Sequence, residues 1–246
     1  HSMLETAENV ALRHGISMSQ QHDVAVMRSE QYQSALQDDC SFQKRYMRLP
    51  FNIPNAKFSK AVGAIATDVG VILSTHKSVE SLQPVVKNGS VTYAGQTHPA
   101  DGNASIVVTS PERCKELSKD EKIRIKILGF GQGRVGRAYM PEAVVPAASM
   151  ALKMAGLSIN EIDAVKTHNP FAVNDILFSR DTGFPLEQMN NYGCSLIWGH
   201  PQGPTGTRSL IELIEELVER GGGVGLFSGC AAGDSAMAMC VAVDSS

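Results

Sequence analysis

The chain has 246 residues, 43% of them hydrophobic, with 22 Lys+Arg against 25 Asp+Glu and a formal net charge of -3. That length can bury a sizeable core as one large domain or two, the charge gives no basic footprint for nucleic acid, and no apolar run approaches a membrane span or opens the chain as a signal peptide. Five cysteines, Cys40, Cys114, Cys194, Cys230 and Cys240, are odd in number and lack metal-type pairing, so reduced thiols in a cytoplasmic setting, with no metal site, are expected.

Two helix signatures come first. Thr6 is placed to cap a helix over 7–14 that Gly15 ends, and Ser17 to cap a second from Met18. Pro50, Asn52, Pro54 and Asn55 then mark turns, and the run 63–74 fits either a strand or a buried helix. Residues 104–109 have the pattern of a buried strand, and Ser110-Pro111 starts a helix to Leu117, because a proline in the first turn has no amide to satisfy. Residues 123–129 alternate as a strand does. The following GFGQGRVGR, 129–137, has the glycines of a phosphate cradle, but no acidic residue follows a second strand at the distance dinucleotide binding needs. A flexible loop is the expectation there.

Further on, 145–155 reads as a helix closed by Gly156, Asn160 as the cap of a short turn, and 164–167 as a strand. Residues 171–181 read as a helix with Phe171, Ile176 and Leu177 inward. Leu210, Ile211, Ile214, Leu217 and Val218 recur at helical spacing, with Glu212, Glu215, Glu216 and Glu219 on the opposite face, so 209–220 is an amphipathic helix stopped by the glycines at 221–223. The runs 224–228 and 236–243 are strand-length and too continuously apolar to be half-exposed. His200, in Gly-His-Pro, and Cys230, between Gly229 and Gly233, flank this helix-plus-strand unit in turns where a rigid scaffold can aim reactive side chains.

Gly-His-Pro followed by G-x-x-G, an amphipathic helix and a glycine-flanked cysteine resembles the C-terminal half of the thiolases, coenzyme A dependent enzymes that make or break a carbon–carbon bond in a 3-oxoacyl thioester. The likeness extends to TAENVA and GISMSQQHD near the start, to SLQPVVKNGSVTYAGQTHPADGNAS, and to Pro146, Ala151, Leu152, Ala155 and Gly156. HNPFA lies over the family's N-E-A-F-A, so His168 takes the asparagine position, as in the H-D-C-F of the sterol-carrier-protein type, and Asn169 the glutamate position. The resemblance implies an α/β, thiolase-like fold: a C-terminal five-stranded mixed sheet with helices on both sides, plus part of the loop domain. It divides the chain into 1–100, part of the loop domain that holds coenzyme A; 101–120, the last strand and helix of the N-terminal half; and 121–246, the C-terminal half.

The resemblance also implies roles. Claisen condensation or its reverse needs a proton moved at the α-carbon of a thioester, an enolate oxygen stabilised, and an acyl group carried on the enzyme. Cys230 would be the acid/base at that carbon, its pKa brought from about 8.5 towards neutrality by an electropositive loop. His200 would donate to the thioester oxygen and assist the nucleophile. His168, alone or through a bound water, would complete the oxyanion site, with Asn169 orienting it. Met140, six places before Pro146, would line the acyl pocket or simply pack in the core. Phe171 of the same motif, and Thr97 and His98 where the family has a substrate-side serine, are the further substrate-binding candidates. No permanently bound cofactor is implied; a coenzyme A thioester is the substrate.

No cysteine here occupies the family's acyl-accepting position, which lies in the N-terminal half. The resemblance therefore implies an N-terminal thiolase segment, as a separate chain, for a partner, acyl-CoA for a substrate, and a homo- or hetero-oligomer. A non-catalytic thiolase-like subunit that uses the fold only as an interface is the alternative. Retention of His200, Cys230 and His168 together speaks for chemistry. A ketoacyl synthase would share the fold but carry two histidines and no C-terminal acid/base cysteine.

Overall fold

Side-chain caps set the first helices of the chain, whose computed structural model describes residues 1–245. Ser2 Oγ accepts from the Glu5 amide at 3.1 Å and opens α1 (Met3–His14), which Gly15 closes in the left-handed region. Thr6 is not the cap, because its hydroxyl already donates to Met3 O inside the first turn. Ser17 and Gln20 form a reciprocal capping box that starts α2 (Met18–Ala35), as its sequence predicts. After α3 (Gln37–Lys44), strands β1 (Phe51–Pro54) and β2 (Ala61–Ile65) pair as an exposed antiparallel hairpin, so the run 63–74 is strand over 63–65, irregular beyond it, and not a buried helix. α4 (His76–Glu80) is short, and α5 (Pro111–Leu117) begins under the Ser110 hydroxyl as expected. The segment 104–109 is corrected to exposed irregular chain: Val107 is 77% exposed, and no described strand lies alongside to take its amides.

One mixed sheet organises the rest. β3 (Ile123–Arg134), β4 (Ala164–His168), β5 (Gly222–Ala231) and β6 (Ser235–Ser245) lie in the order β3-β6-β5-β4; the first two pairings are antiparallel and β5–β4 is parallel. α6 (Val144–Ala155) packs on one face, joined by α7 (Ala172–Thr182). α9 (Thr205–Glu219), which follows the single turn of α8 (Ser195–Trp198), packs against β4, β5 and β6. The pleat explains the two cores: Leu226 and Cys240 go to the α6 side, while Phe227 and Val241 meet Leu213 and Leu217 of α9.

The resemblance implied five strands, and four are present among the described residues. Beyond β4 the sheet continues only as a single parallel bridge between Val165 and Met189. There Asn190 donates its amide to Val165 O at 2.9 Å and accepts from the Thr167 amide through Oδ1 at 2.8 Å, so a side chain replaces the backbone of a fifth strand.

Over 129–134 the glycine-rich run 129–137 is neither a phosphate cradle nor a flexible loop. This stretch is the second half of β3, and a Cβ built on Gly129, Gly131 or Gly133 would fall under 3.0 Å from the carbonyl oxygen of Ala151, Ala147 or Ala143. Alternate glycines on one face of the strand let the backbone of α6 lie directly on it.

Candidate active site

His168 ends β4 and Cys230 is the penultimate residue of β5; the two strands are parallel and His168 registers with Gly229. Both therefore stand at the carboxyl ends of parallel strands, where open α/β sheets place ligand sites. His200 arrives from the turn between α8 and α9. Its amide donates to His98 O at 2.8 Å and Pro99 bridges it in parallel, so the loop 97–99 fixes the turn from outside. Gly199 has φ +95°, and a Cβ there would lie 2.9 Å from His98 Nε2, so only glycine fits this approach. The result is that the His168 and His200 rings sit 4.3 Å apart, tilted by 31°.

Cys230 is buried next to the backbone of His168. Its sulfur accepts from Asn174 Nδ2 at 3.4 Å and lies 4.0 Å from His168 O. Burial pushes the thiol up to about 12, with the Asn174 amide opposing it. This corrects the expectation of a thiol tuned towards neutrality: the site surrounds the sulfur with apolar groups, not cations, and keeps it protonated. Burial, then the neighbouring His200, lowers His168 to about 3, and burial lowers His200 as well. Both imidazoles are neutral near pH 7.

His200 Nδ1 lies 2.8 Å from Thr205 Oγ1, whose own proton goes to Pro201 O at 2.9 Å. Asn169 is turned into the protein: Nδ2 donates to Asp175 Oδ2 at 2.7 Å and to Cys194 Sγ at 3.1 Å, while Oδ1 accepts from the Ser195 hydroxyl and the Leu196 amide, each at 3.1 Å. All four of its hydrogen-bonding positions are occupied. Thr97 likewise donates its hydroxyl to Ser195 O at 2.5 Å. His98 Nε2 is buried with no hydrogen-bond partner among the described residues. Met140 and Phe171 are buried in the same large apolar cluster as Cys230.

Sequence reading missed Ser195, 2.8 Å from His168 Nδ1, and the Asn174 and Asp175 pair on α7. Two polar residues beside the inward Ile176 and Leu177 of a helix were the available signal. Arg28, which meets Asp175 at 2.9 Å with both side chains fully buried, gave none, because its partner is remote in the chain. Two surface concavities, one between Ile159 and Phe184 and one between Gln31 and Arg220, lie away from this cluster. Among the described residues no three His, Cys, Asp or Glu side chains are grouped to hold a metal ion, and no helix is long and apolar enough to cross a membrane.

Residues 121–243, half of the chain, match the family described as "Thiolase, C-terminal domain". The chain is 31% identical over 226 residues to the peroxisomal 3-ketoacyl-CoA thiolase A of Mus musculus, covering 88% of this chain and 51% of that protein. It is 30% identical over 242 residues to the acetyl-CoA acetyltransferase of Allochromatium vinosum, covering 98% and 60%. Among solved structures, the Bacillus anthracis acetyl-CoA acetyltransferase superposes with a TM-score of 0.87 at 27% identity over 98% of this chain and 60% of that one. The chain thus spans between half and three fifths of the length of these proteins.

Proposed function

The chain belongs to the thiolase family, and on that premise we propose that it supplies the acid/base and oxyanion part of an acyl-CoA C-acyltransferase, working with an N-terminal thiolase segment on a separate chain that carries the nucleophilic cysteine. The reaction is Claisen condensation or thiolytic cleavage of a 3-oxoacyl-CoA. In this reading, residues 1–100 belong to the loop domain that holds coenzyme A, 101–120 complete the first half, and 121–246 form the second.

What supports the reading is that His168 and Cys230 stand at the carboxyl ends of β4 and β5, with the Cys230 sulfur 4.0 Å from His168 O and the His200 ring 4.3 Å from that of His168. In the cleavage direction neutral His200 takes the proton of the nucleophilic thiol, and the resulting thiolate adds to the C3 carbonyl of the substrate. As the C2–C3 bond breaks, the departing enolate carries charge on its thioester oxygen. Protonated His200 donates to that oxygen and the His168 position supplies the second donor. Cys230 then delivers its proton to C2, releasing acetyl-CoA, and the acyl group remains on the nucleophile until coenzyme A takes it. A thiol held at about 12 suits this acid step. Condensation runs the same steps in reverse.

The test is acetoacetyl-CoA thiolysis by the complete protein, this chain together with the nucleophile-bearing segment. Turnover is expected, and Cys230→Ser lowers it at least about a hundredfold while an acyl-enzyme still forms from acetyl-CoA by intact mass. A folded, complete protein that neither turns over nor acylates overturns this reading in favour of the non-catalytic subunit.

A further inference from the structure

Deepening the reading above and resting on it, we propose that Ser195, Asn169 and the buried Arg28–Asp175 pair are positioning residues that fix the tautomer of His168. They hold its proton on Nδ1 and leave Nε2 a bare acceptor. The oxyanion donor at this position is then a water held by Nε2, not the ring itself.

The deduction starts at a charge and moves outward one hydrogen at a time. Arg28 Nε lies 2.9 Å from Asp175 Oδ2 with both side chains excluded from solvent, so the carboxylate is ionised and can only accept. It takes the Thr167 hydroxyl at 2.6 Å on Oδ1, and on Oδ2 the side-chain amides of Asn190 at 3.1 Å and Asn169 at 2.7 Å. A carboxylate must face the nitrogen of an amide. That orients Asn169, and its oxygen therefore faces Ser195 and the Leu196 amide, which donates to it at 3.1 Å and checks the assignment independently.

Ser195 Oγ stands 3.1 Å from that carbonyl oxygen, which has no hydrogen to offer, so the single hydroxyl proton of Ser195 lies between them. Ser195 Oγ is left with lone pairs only. One accepts the Asn169 backbone amide at 3.1 Å, and the other faces His168 Nδ1 at 2.8 Å. A bare ring nitrogen there would set lone pair against lone pair, so Nδ1 carries the hydrogen. Burial keeps the ring neutral, and a neutral imidazole with hydrogen on Nδ1 has none on Nε2.

The two adjacent histidines thereby divide the work. His200, with Nδ1 on Thr205, offers a bare Nε2 that takes the nucleophile's proton and becomes a donor only afterwards. His168 does not cycle. A water donating one hydrogen to its Nε2 and the other to the enolate oxygen serves both groups, and the like charges of two imidazolium rings at 4.3 Å never arise.

Nitrogen-15 NMR of the histidine-labelled complete protein reads the tautomer without turnover. His168 is expected in the Nδ1–H form in the wild type. Ser195→Ala should convert it to a mixture with the Nε2–H form and lower kcat by about tenfold at unchanged KM, while Ser195→Thr restores both. A wild-type His168 with hydrogen on Nε2 overturns the proposal even if Ser195→Ala does not fold, as does an unmoved tautomer in a folded Ser195→Ala. Absence of turnover alongside the Nδ1–H signature overturns the thiolase reading and leaves the tautomer assignment standing.

Discussion

His168 and Asn169 are neighbours in the chain with opposite surroundings. The imidazole has one nitrogen anchored on Ser195 and its ring against His200, whereas the amide has all four positions taken by the protein. An anchored group with one free edge can serve a transition state directly, and a saturated one acts only through the neighbours it holds in place. In the complete protein His168→Ala should lower turnover by roughly 10² to 10³ and leave coenzyme A binding nearly unchanged, since the oxyanion charge is absent in the ground state. His168→Asn should recover much of this. Asn169→Ala strips the Ser195 hydroxyl, the Leu196 amide and Asp175 of a buried partner, so its effect should be a loss of about 1–3 kcal/mol or more in stability, read as a lowered Tm. The opposite ranking, with Asn169→Ala crippling turnover in a stable protein, would mean that the alignment of HNPFA on the family motif is off by one. Cys230 shows what residue type alone leaves open: the motif marks a cysteine for proton transfer, but whether it is thiol or thiolate depends on the apolar surroundings that burial at the end of β5 provides.

At the scale of elements, the contact between β3 and α6 depends on three missing side chains. A Cβ on Gly131 would run into the carbonyl oxygen of Ala147 and the amide of Ala151, which are rigid helix backbone. Gly131→Ala should therefore push α6 off the sheet and cost about 1–3 kcal/mol, while Gly136→Ala, where the nearest atom is Tyr139 Cδ2 at 4.0 Å, should change Tm little. Equal effects of the two would remove the packing account. Such glycines are hard to interpret from a single sequence, because the partner that needs their smallness is another element. The same reason separates the legible from the illegible elsewhere. Helices with a local signal could be read locally: α2 and α5 through the capping hydroxyls of Ser17 and Ser110, α6 through the left-handed Gly156 that ends it, and α9 through its apolar periodicity. The residues 104–109, apolar enough for a strand, and the position beyond β4, where Asn190 stands in for a fifth strand, are decided by which neighbours are present. The site divides likewise: His168, His200 and Cys230 sit in recognisable turns, whereas Ser195, Asp175 and Arg28 join it only through the fold.

For the whole molecule, the question is how much apolar surface this chain leaves uncovered. β3 is an edge strand, and along it Ile125, Ile127 and Phe130 are each more than two fifths exposed, with Met237 of β6 beside Phe130's partner in the ladder. Val107 and Val108 of the strand-like segment 104–109 are exposed as well. Contiguous apolar surface next to an unpaired edge is rare in a stable monomer and invites association. The relatives are longer than this chain by a segment that the proposed mechanism also needs for its nucleophile. If that segment is a separate chain, it both supplies the acyl-accepting cysteine and covers these groups, so folding and activity share one dependence. Residues 1–246 produced alone should then be insoluble or molten, with no sharp near-ultraviolet melting transition, and co-expression with the N-terminal segment should restore solubility, cooperativity and thiolysis together. The isolated chain melting in one sharp, reversible transition would show that its own cores suffice, and the two-chain arrangement would then have to rest on the missing nucleophile alone.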